Sequence, residues 1–144
     1  MNNRDSNTPP ADEAAVEQQI QNKGLTAPRI TPEHIDAQIQ SEHYIVAGPA
    51  IHAVDLANGA PTQVLPLGMA TLTICVLTLR NGFTVTGESN CASPENFNEQ
   101  IGRTIARRNA RDKIWSLEGY ALRTQLAAEA DRRFGQPHHG HDAS

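Results

Sequence analysis

The chain has 144 residues, about one domain's worth, and 38% of them are hydrophobic. Its formal net charge of −4 at pH 7 excludes a general coat for nucleic acid, which needs a strongly basic surface. No apolar run approaches the roughly 20 residues that cross a bilayer, and the first residues lack the apolar stretch of a secretory signal. We therefore expect a cytoplasmic protein that has no membrane partner and keeps its cysteines reduced.

The basic residues are concentrated in the last third of the chain. Residues 1–100 carry four basic and eleven acidic side chains, whereas residues 101–144 carry eight basic and five acidic ones. These balances of −7 and +3 sum to the net charge of −4. We expect a phosphate-bearing partner to meet the C-terminal third.

Both ends of the chain are predicted to be flexible. Residues 1–29 are polar, and the weak helix within Ala11–Lys23 has too few large apolar residues to dock firmly. The last residues contain three histidines, but a mobile tail has no fixed geometry for a metal. We predict tails over 1–29 and 135–144, one ligand-binding domain over 30–134, no metal site and no cofactor.

Capping signals and turn residues mark the first part of the domain. Thr31 as N-cap and Pro32 in the first helical position predict a helix that continues to about Ser41. The segment Gly48–Gly68 has three prolines and three glycines, which predicts an irregular or hairpin insertion.

A β-hairpin is the clearest local prediction. The β-rich runs Leu72–Leu79 and Thr84–Ser89 flank Asn81-Gly82, a dipeptide that favours a two-residue type I′ turn. That turn pairs Thr78 with Val85. It places five apolar side chains on one face, namely Leu72, Ile74, Val76, Phe83 and Val85. The opposite face carries Cys75, Leu77 and Leu79. Because both faces are partly apolar, further elements or a second subunit must cover them.

Two helices are predicted after the hairpin. The first begins at Ser93-Pro94 and runs to Trp115, with an apolar stripe formed by Phe97, Ile101, Ile105 and Trp115. The second covers roughly Leu117–Arg133. The predicted fold class is α+β, with a hairpin-centred antiparallel sheet packed by helices in a small single domain.

Four arginines on the first of these helices are candidate ligands for an anion. They lie within about two turns and are Arg103, Arg107, Arg108 and Arg111. Guanidinium groups bind phosphate oxygens in pairs and stack on flat rings. A solvated helix face, on which Glu99 and Arg103 form an ordinary ion pair, is the alternative explanation, and it accounts for Arg103 and Arg111. It explains Arg108 less well, because Arg108 falls on the apolar stripe and needs an anion or a neighbouring subunit there.

Three further residues complete the candidate ligand site. The N–H groups at the helix start near Ser93 and Asn96 suit an anion, and the ring of Phe83 suits a nucleobase. No phosphate-binding loop, nucleophile elbow or zinc motif is present in the sequence. We therefore expect a nucleotide-binding protein without catalytic activity.

The sequence from the hairpin to the long helix resembles a known family. The residues that carry the resemblance are Asn81–Ser89, Ser93–Phe97, Ile101-Gly102-Arg103, Ala110, Lys113-Ile114-Trp115 and Leu117–Tyr120. They are similar to a small family of phage proteins that includes the first type of Thoeris anti-defence protein, which sequesters immune nucleotide signals. The match covers roughly residues 70–126, with weaker support from Thr31–Tyr44.

The resemblance implies a function and an assembly. Members of the sequestering type bind cyclic ADP-ribose isomers without cleaving them, some also hold cyclic oligonucleotides, and dimers assemble into larger oligomers such as hexamers. By this resemblance Phe83 stacks on adenine, Ser93 and Asn96 make polar contacts, and arginines of the long helix bind phosphate, with a subunit junction as one location. The expected protein is a phage-encoded sponge in the host cytoplasm that forms a homo-oligomer.

A small nucleic-acid-binding phage regulator that uses the same basic helix is the alternative function. An enzyme that cleaves the signal is disfavoured, because the sequence offers no general acid–base set. We expect no specific nucleic-acid partner.

Overall fold

The computed structural model describes residues 11–25 and 27–135. Within these residues the helices are α1 (Ala11–Asn22), α2 (Pro32–Gln38), α3 (Ala47–Ala57) and α4 (Glu99–Ala130), and the strands are β1 (Ile39–Val46), β2 (Thr73–Leu79) and β3 (Thr84–Ser89). The strands form an antiparallel sheet in the order β1-β2-β3. The chain therefore has the predicted α+β fold. No helix of the described part is long and apolar enough to cross a membrane.

The described residues divide into two compact units. One contains residues 11–25, 27–36 and 115–135, and the other contains residues 37–114. Helix α1 lies inside the range predicted as a flexible tail, and the division falls inside the range 30–134. The predicted domain limits stay a prediction, and residues 136–144 lie outside the described residues.

Strand β1 replaces the end of the predicted first helix. The cap is as expected, because Thr31 Oγ1 accepts a hydrogen bond from the N–H of His34 at 3.1 Å. The helix ends at Gln38, however, and the prediction of helix to about Ser41 is wrong. The chain from Ile39 pairs with β2 instead, because an interstrand ladder outweighs a weak local helix preference.

The predicted insertion begins with a helix. The prediction of an irregular or hairpin segment over Gly48–Gly68 is wrong for its first half, which belongs to α3. Asn58-Gly59 ends this helix, since the N–H of Gly59 bonds to the carbonyl of Leu56 and Gly59 has a φ of +68°. The dipeptide thus acts as a C-terminal cap, for which a left-handed glycine is as suitable as for a hairpin turn.

The hairpin forms where predicted, but its register differs by one residue. Leu77 pairs with Val85 and Thr78 with Thr84, and the N–H of Leu79 bonds to the carbonyl of Phe83 at 2.8 Å. The connection is therefore a three-residue loop in which Gly82 has a φ of +89°. Because side chains alternate along a strand, this shift moves Val85 to the face of Leu77, and its predicted place beside Val76 is wrong. Within β2 the predicted division, with Ile74 and Val76 opposite Cys75, Leu77 and Leu79, is confirmed.

The corrected register places the buried residues of the hairpin on one face. They are Thr73, Cys75, Leu77, Leu79, Val85 and Gly87. Residues Glu42 and Tyr44 of β1 lie on the same face, opposite Leu77 and Cys75. The other face carries Ile74 and Val76.

Small residues of α4 pack against this buried face. A Cβ on Gly87 would lie 2.3 Å from the carbonyl oxygen of Ala106 and 2.2 Å from the nitrogen of Ala110, so helix and strand touch through their backbones. The buried residues of α4 are Gly102, Ala106, Ala110, Arg111 and Ile114. The predicted inward stripe is wrong, because Ile101 and Ile105 are 58% and 41% exposed. The prediction of a separate helix from Leu117 is also wrong, since α4 is continuous to Ala130.

Candidate functional site

Phe83 lies directly after the hairpin loop and exposes 54% of its surface. Two hydrogen bonds fix its backbone: its N–H donates to Asn81 Oδ1 at 3.0 Å, and its carbonyl accepts from the N–H of Leu79. A rigid backbone that carries an exposed ring costs little conformational entropy on stacking. The position suits contact with a flat ligand or another protein surface.

Ser93 precedes a short 3-10 turn, Pro94–Asn96, of which Asn96 is the last residue. The predicted start of the long helix at Ser93 is therefore wrong. The carbonyl of Ser93 accepts hydrogen bonds from the N–H of Asn96 at 3.0 Å and from Cys91 Sγ at 3.1 Å. The first turn of α4 is capped by Asn98, whose Oδ1 accepts from the N–H of Ile101 at 3.0 Å. Asn98 is a better N-cap than Ser93 here because Phe97 still has extended backbone.

Within one copy of the chain, Phe83 and the turn that follows Ser93 are far apart. Phe83 precedes β3 and Ser93 follows it, and a six-residue strand is about 20 Å long. The turn and the ring therefore lie at opposite ends of the sheet.

Two of the four arginines lie together on the side of α4 that faces β1. Arg107 Nε donates to Glu42 Oε2 at 2.7 Å, and the side chain of Arg107 is 13% exposed. Arg103 lies one turn earlier, with its guanidinium carbon 5.2 Å from the ring centre of Tyr44, and its Nη2 donates to Glu99 at 3.1 Å. The opposite side of α4 faces β3, where Asn109 Nδ2 donates to the carbonyl of Glu88 at 2.8 Å.

Glu42 and Tyr44 join these arginines in one polar network. The hydroxyl of Tyr44 donates to Glu42 Oε2 at 2.9 Å, so one carboxylate oxygen receives both Tyr44 and Arg107. Burial and the bond to Glu42 raise the pKa of Tyr44. Burial, with the nearby charge of Glu42, also raises the pKa of the Cys75 thiol. Both groups are therefore neutral at physiological pH, and Cys75 is a poor nucleophile.

The other two arginines differ in exposure. Arg111 is only 3% exposed, enclosed among the buried residues of the helix. Arg108 is exposed, as are Ile101 and Ile105 of the predicted stripe, so no apolar core encloses it in the described part of one copy. Arg108 makes no ion pair with any residue in the described part of the chain.

Sequence reasoning missed Glu42 and Tyr44. The available signal was the strand preference of Tyr44-Ile45-Val46, because Ile39–Val46 shows no regular alternation of apolar and polar residues. The capping pattern at Thr31 hid this signal by extending the predicted helix into the strand.

The unit that contains α1 has a cavity of about 310 Å³. Its lining residues are Asp12, Glu13, Val16, Glu17, Ile20, Arg29, Ile30, Pro32 and Trp115. Arg29 holds Glu17 through two hydrogen bonds of 2.7 Å, which lower the pKa of Glu17 to about 2. This pair orders the segment between α1 and α2.

Comparison with known proteins identifies a family. Residues 30–126 match the model of the Phage protein (N4 Gp49/phage Sf6 gene 66) family, and this match spans more than half of the chain. The chain therefore belongs to this phage protein family. No curated protein and no solved structure gives a significant match.

Proposed function

We propose that this phage protein is a non-enzymatic sponge, which binds a cyclic nucleotide immune signal in the host cytoplasm and so inhibits an anti-phage defence. The expected ligands are cyclic ADP-ribose isomers and cyclic oligonucleotides. Membership of a phage family supports a role during infection. The observation that carries the proposal is Phe83, a 54% exposed ring on a backbone fixed by its own loop.

The distribution of the candidate residues supports a site between two copies of the chain. Phe83 directly precedes β3, which is one edge of the sheet. Arg103 and Arg107 lie on the side of α4 that faces β1, which is the other edge. In a symmetric dimer the ring of one copy and the arginines of its partner would enclose one ligand. A homo-oligomer, either a dimer or a hexamer, is therefore part of the proposal.

Sequestration is favoured over binding to nucleic acid by the charge of α4. Arg103 and Arg107 are paired with Glu99 and Glu42, so they add little to the long-range positive field that attracts duplex DNA. A small nucleotide, which has both a phosphate and a nucleobase, is a better match to the polar network around Arg107 and to the exposed ring of Phe83.

The test is to incubate the purified protein with cyclic ADP-ribose isomers and cyclic dinucleotides, remove free ligand, and then denature the protein by heat. A sponge releases the ligand chemically intact. A cleaved product would show an enzyme, and failure to retain any of the nucleotides would contradict the proposal. Tight retention of a specific DNA duplex at physiological salt would favour the regulator.

A further inference from the structure

Arg107 is largely buried, yet only one edge of its guanidinium is used. Its Nε bonds to Glu42, while Nη1 and Nη2 have no hydrogen-bond partner among the described residues. In that part of the chain the one fully enclosed side-chain polar atom without a partner is Thr73 Oγ1, so the Nη atoms retain access to solvent. Arg107 therefore presents two donors at the surface from a side chain that is 13% exposed.

The neighbours of Arg107 restrict its orientation. Glu42 Oε2 accepts from Arg107 at 2.7 Å and from the Tyr44 hydroxyl at 2.9 Å, and this second bond holds the carboxylate in place. The ring of Tyr44 also carries the guanidinium of Arg103 at 5.2 Å. One strand thus orients two guanidinium groups that lie one helical turn apart.

We infer that Glu42 and Tyr44 are positioning residues of a phosphate subsite, in which Arg107 Nη1 and Nη2 and the guanidinium of Arg103 bind the anion. The inference rests on the proposed function. It identifies the group that binds here as the phosphate or pyrophosphate of the cyclic nucleotide. A planar guanidinium held by its Nε edge offers a parallel pair of N–H groups, which match two phosphate oxygens.

For the loss of Glu42, the inference predicts the opposite change in anion binding from the one that charge alone predicts, and this makes it testable. Replacing the carboxylate of Glu42 with a neutral amide removes one negative charge beside the phosphate, which would by itself strengthen anion binding. If Glu42 positions Arg107, Glu42→Gln instead weakens the binding of cyclic nucleotides by about tenfold or more, as expected for the loss of an aligned charge-assisted hydrogen bond. Glu99→Gln is the matched control, since it makes the same charge change at a 60% exposed partner of Arg103.

Calorimetric titration of both variants with cyclic ADP-ribose isomers and cyclic dinucleotides measures these effects, and melting curves confirm that each variant is folded. The expected result is weaker binding for Glu42→Gln and unchanged or tighter binding for Glu99→Gln. Equal or tighter binding by Glu42→Gln would overturn the inference. If Glu42→Gln does not fold, Tyr44→Phe replaces it, because that variant removes only the hydroxyl that holds Glu42.

A second probe separates this inference from the proposed function. If the parent binds none of the cyclic nucleotides, the proposed function fails, and the subsite is tested with inorganic pyrophosphate alone. The NMR signal of the Arg107 Nε–H should then shift in the parent and stay unchanged in Glu42→Gln. No shift in the parent would overturn the subsite as well.

Discussion

Replacing Gly87 with alanine is expected to destabilise the fold more than any surface substitution. The added Cβ would lie 2.2 Å from the nitrogen and 2.8 Å from the Cα of Ala110, and 2.3 Å from the carbonyl oxygen of Ala106. These are backbone atoms of α4, so no side chain can rotate to make room and the helix itself must move. Overpacking usually costs about 1–3 kcal/mol, and contact with backbone places this variant at roughly 3 kcal/mol or above.

Gly119→Ala is the matched control for this prediction. Gly119 lies in α4, the helix that Gly87 of β3 contacts, and its added Cβ would meet nothing within 4 Å. This variant should gain about 0.5–1 kcal/mol, because alanine loses less conformational entropy in a helix than glycine does.

Urea titration and thermal melting, at one protein concentration, measure both changes. The expected loss for Gly87→Ala corresponds to a melting temperature lower by roughly 6–12 °C. If Gly87→Ala unfolds as the parent does, α4 does not lie directly on β3 and the packing argument is refuted.

Three further predictions concern single groups. Thr73→Val should raise stability by about 1 kcal/mol, because it removes a fully buried hydroxyl that has no partner in the described residues while keeping the side-chain shape; a loss of stability in urea would contradict this. Gly82→Ala should cost about 1–2 kcal/mol, since its φ of +89° disfavours a Cβ, and an unchanged melting curve would argue against the three-residue loop. The pKa of Glu17 is lowered from 4.5 to about 2 by Arg29, so the stability that this pair contributes is present above pH 4.5 and is lost as the pH falls towards 2. Carbon NMR titration should show that Arg29→Gln returns the pKa of Glu17 towards 4.5, and a pKa that stays near 2 would show that Arg29 is not the cause.

The hairpin shows how far local sequence determines local structure. The two strands and the position of their turn follow from composition and from Asn81-Gly82. The register does not, because a glycine with positive φ suits both a two-residue and a three-residue loop. The difference of one residue decides whether Val85 shares a face with Leu77 or with Val76, and only packing against α4 settles it.

In helix α4 the spacing of the apolar residues predicts the wrong buried face. Ile101 and Ile105 have the spacing of core residues, but the sheet meets the helix at Gly87, where only small residues fit. Gly102, Ala106 and Ala110 therefore face inward. Glu42 and Tyr44 were missed for a related reason, since their contacts with α4 join residues more than 55 positions apart in the sequence and leave no local pattern.

The most direct test of a ligand site between two copies is complementation between variants. Phe83→Ala and Arg107→Gln are each expected to lose binding of the cyclic nucleotide, provided that melting curves show both to be folded. When equal amounts are unfolded together and refolded, half of the dimers contain one copy of each, and one of their two sites has both Phe83 and Arg107 intact. Calorimetry of this mixture should therefore recover about a quarter of the parent's sites, as two-fold symmetry requires. A mixture that binds no more ligand than the separate variants would contradict a site shared between copies.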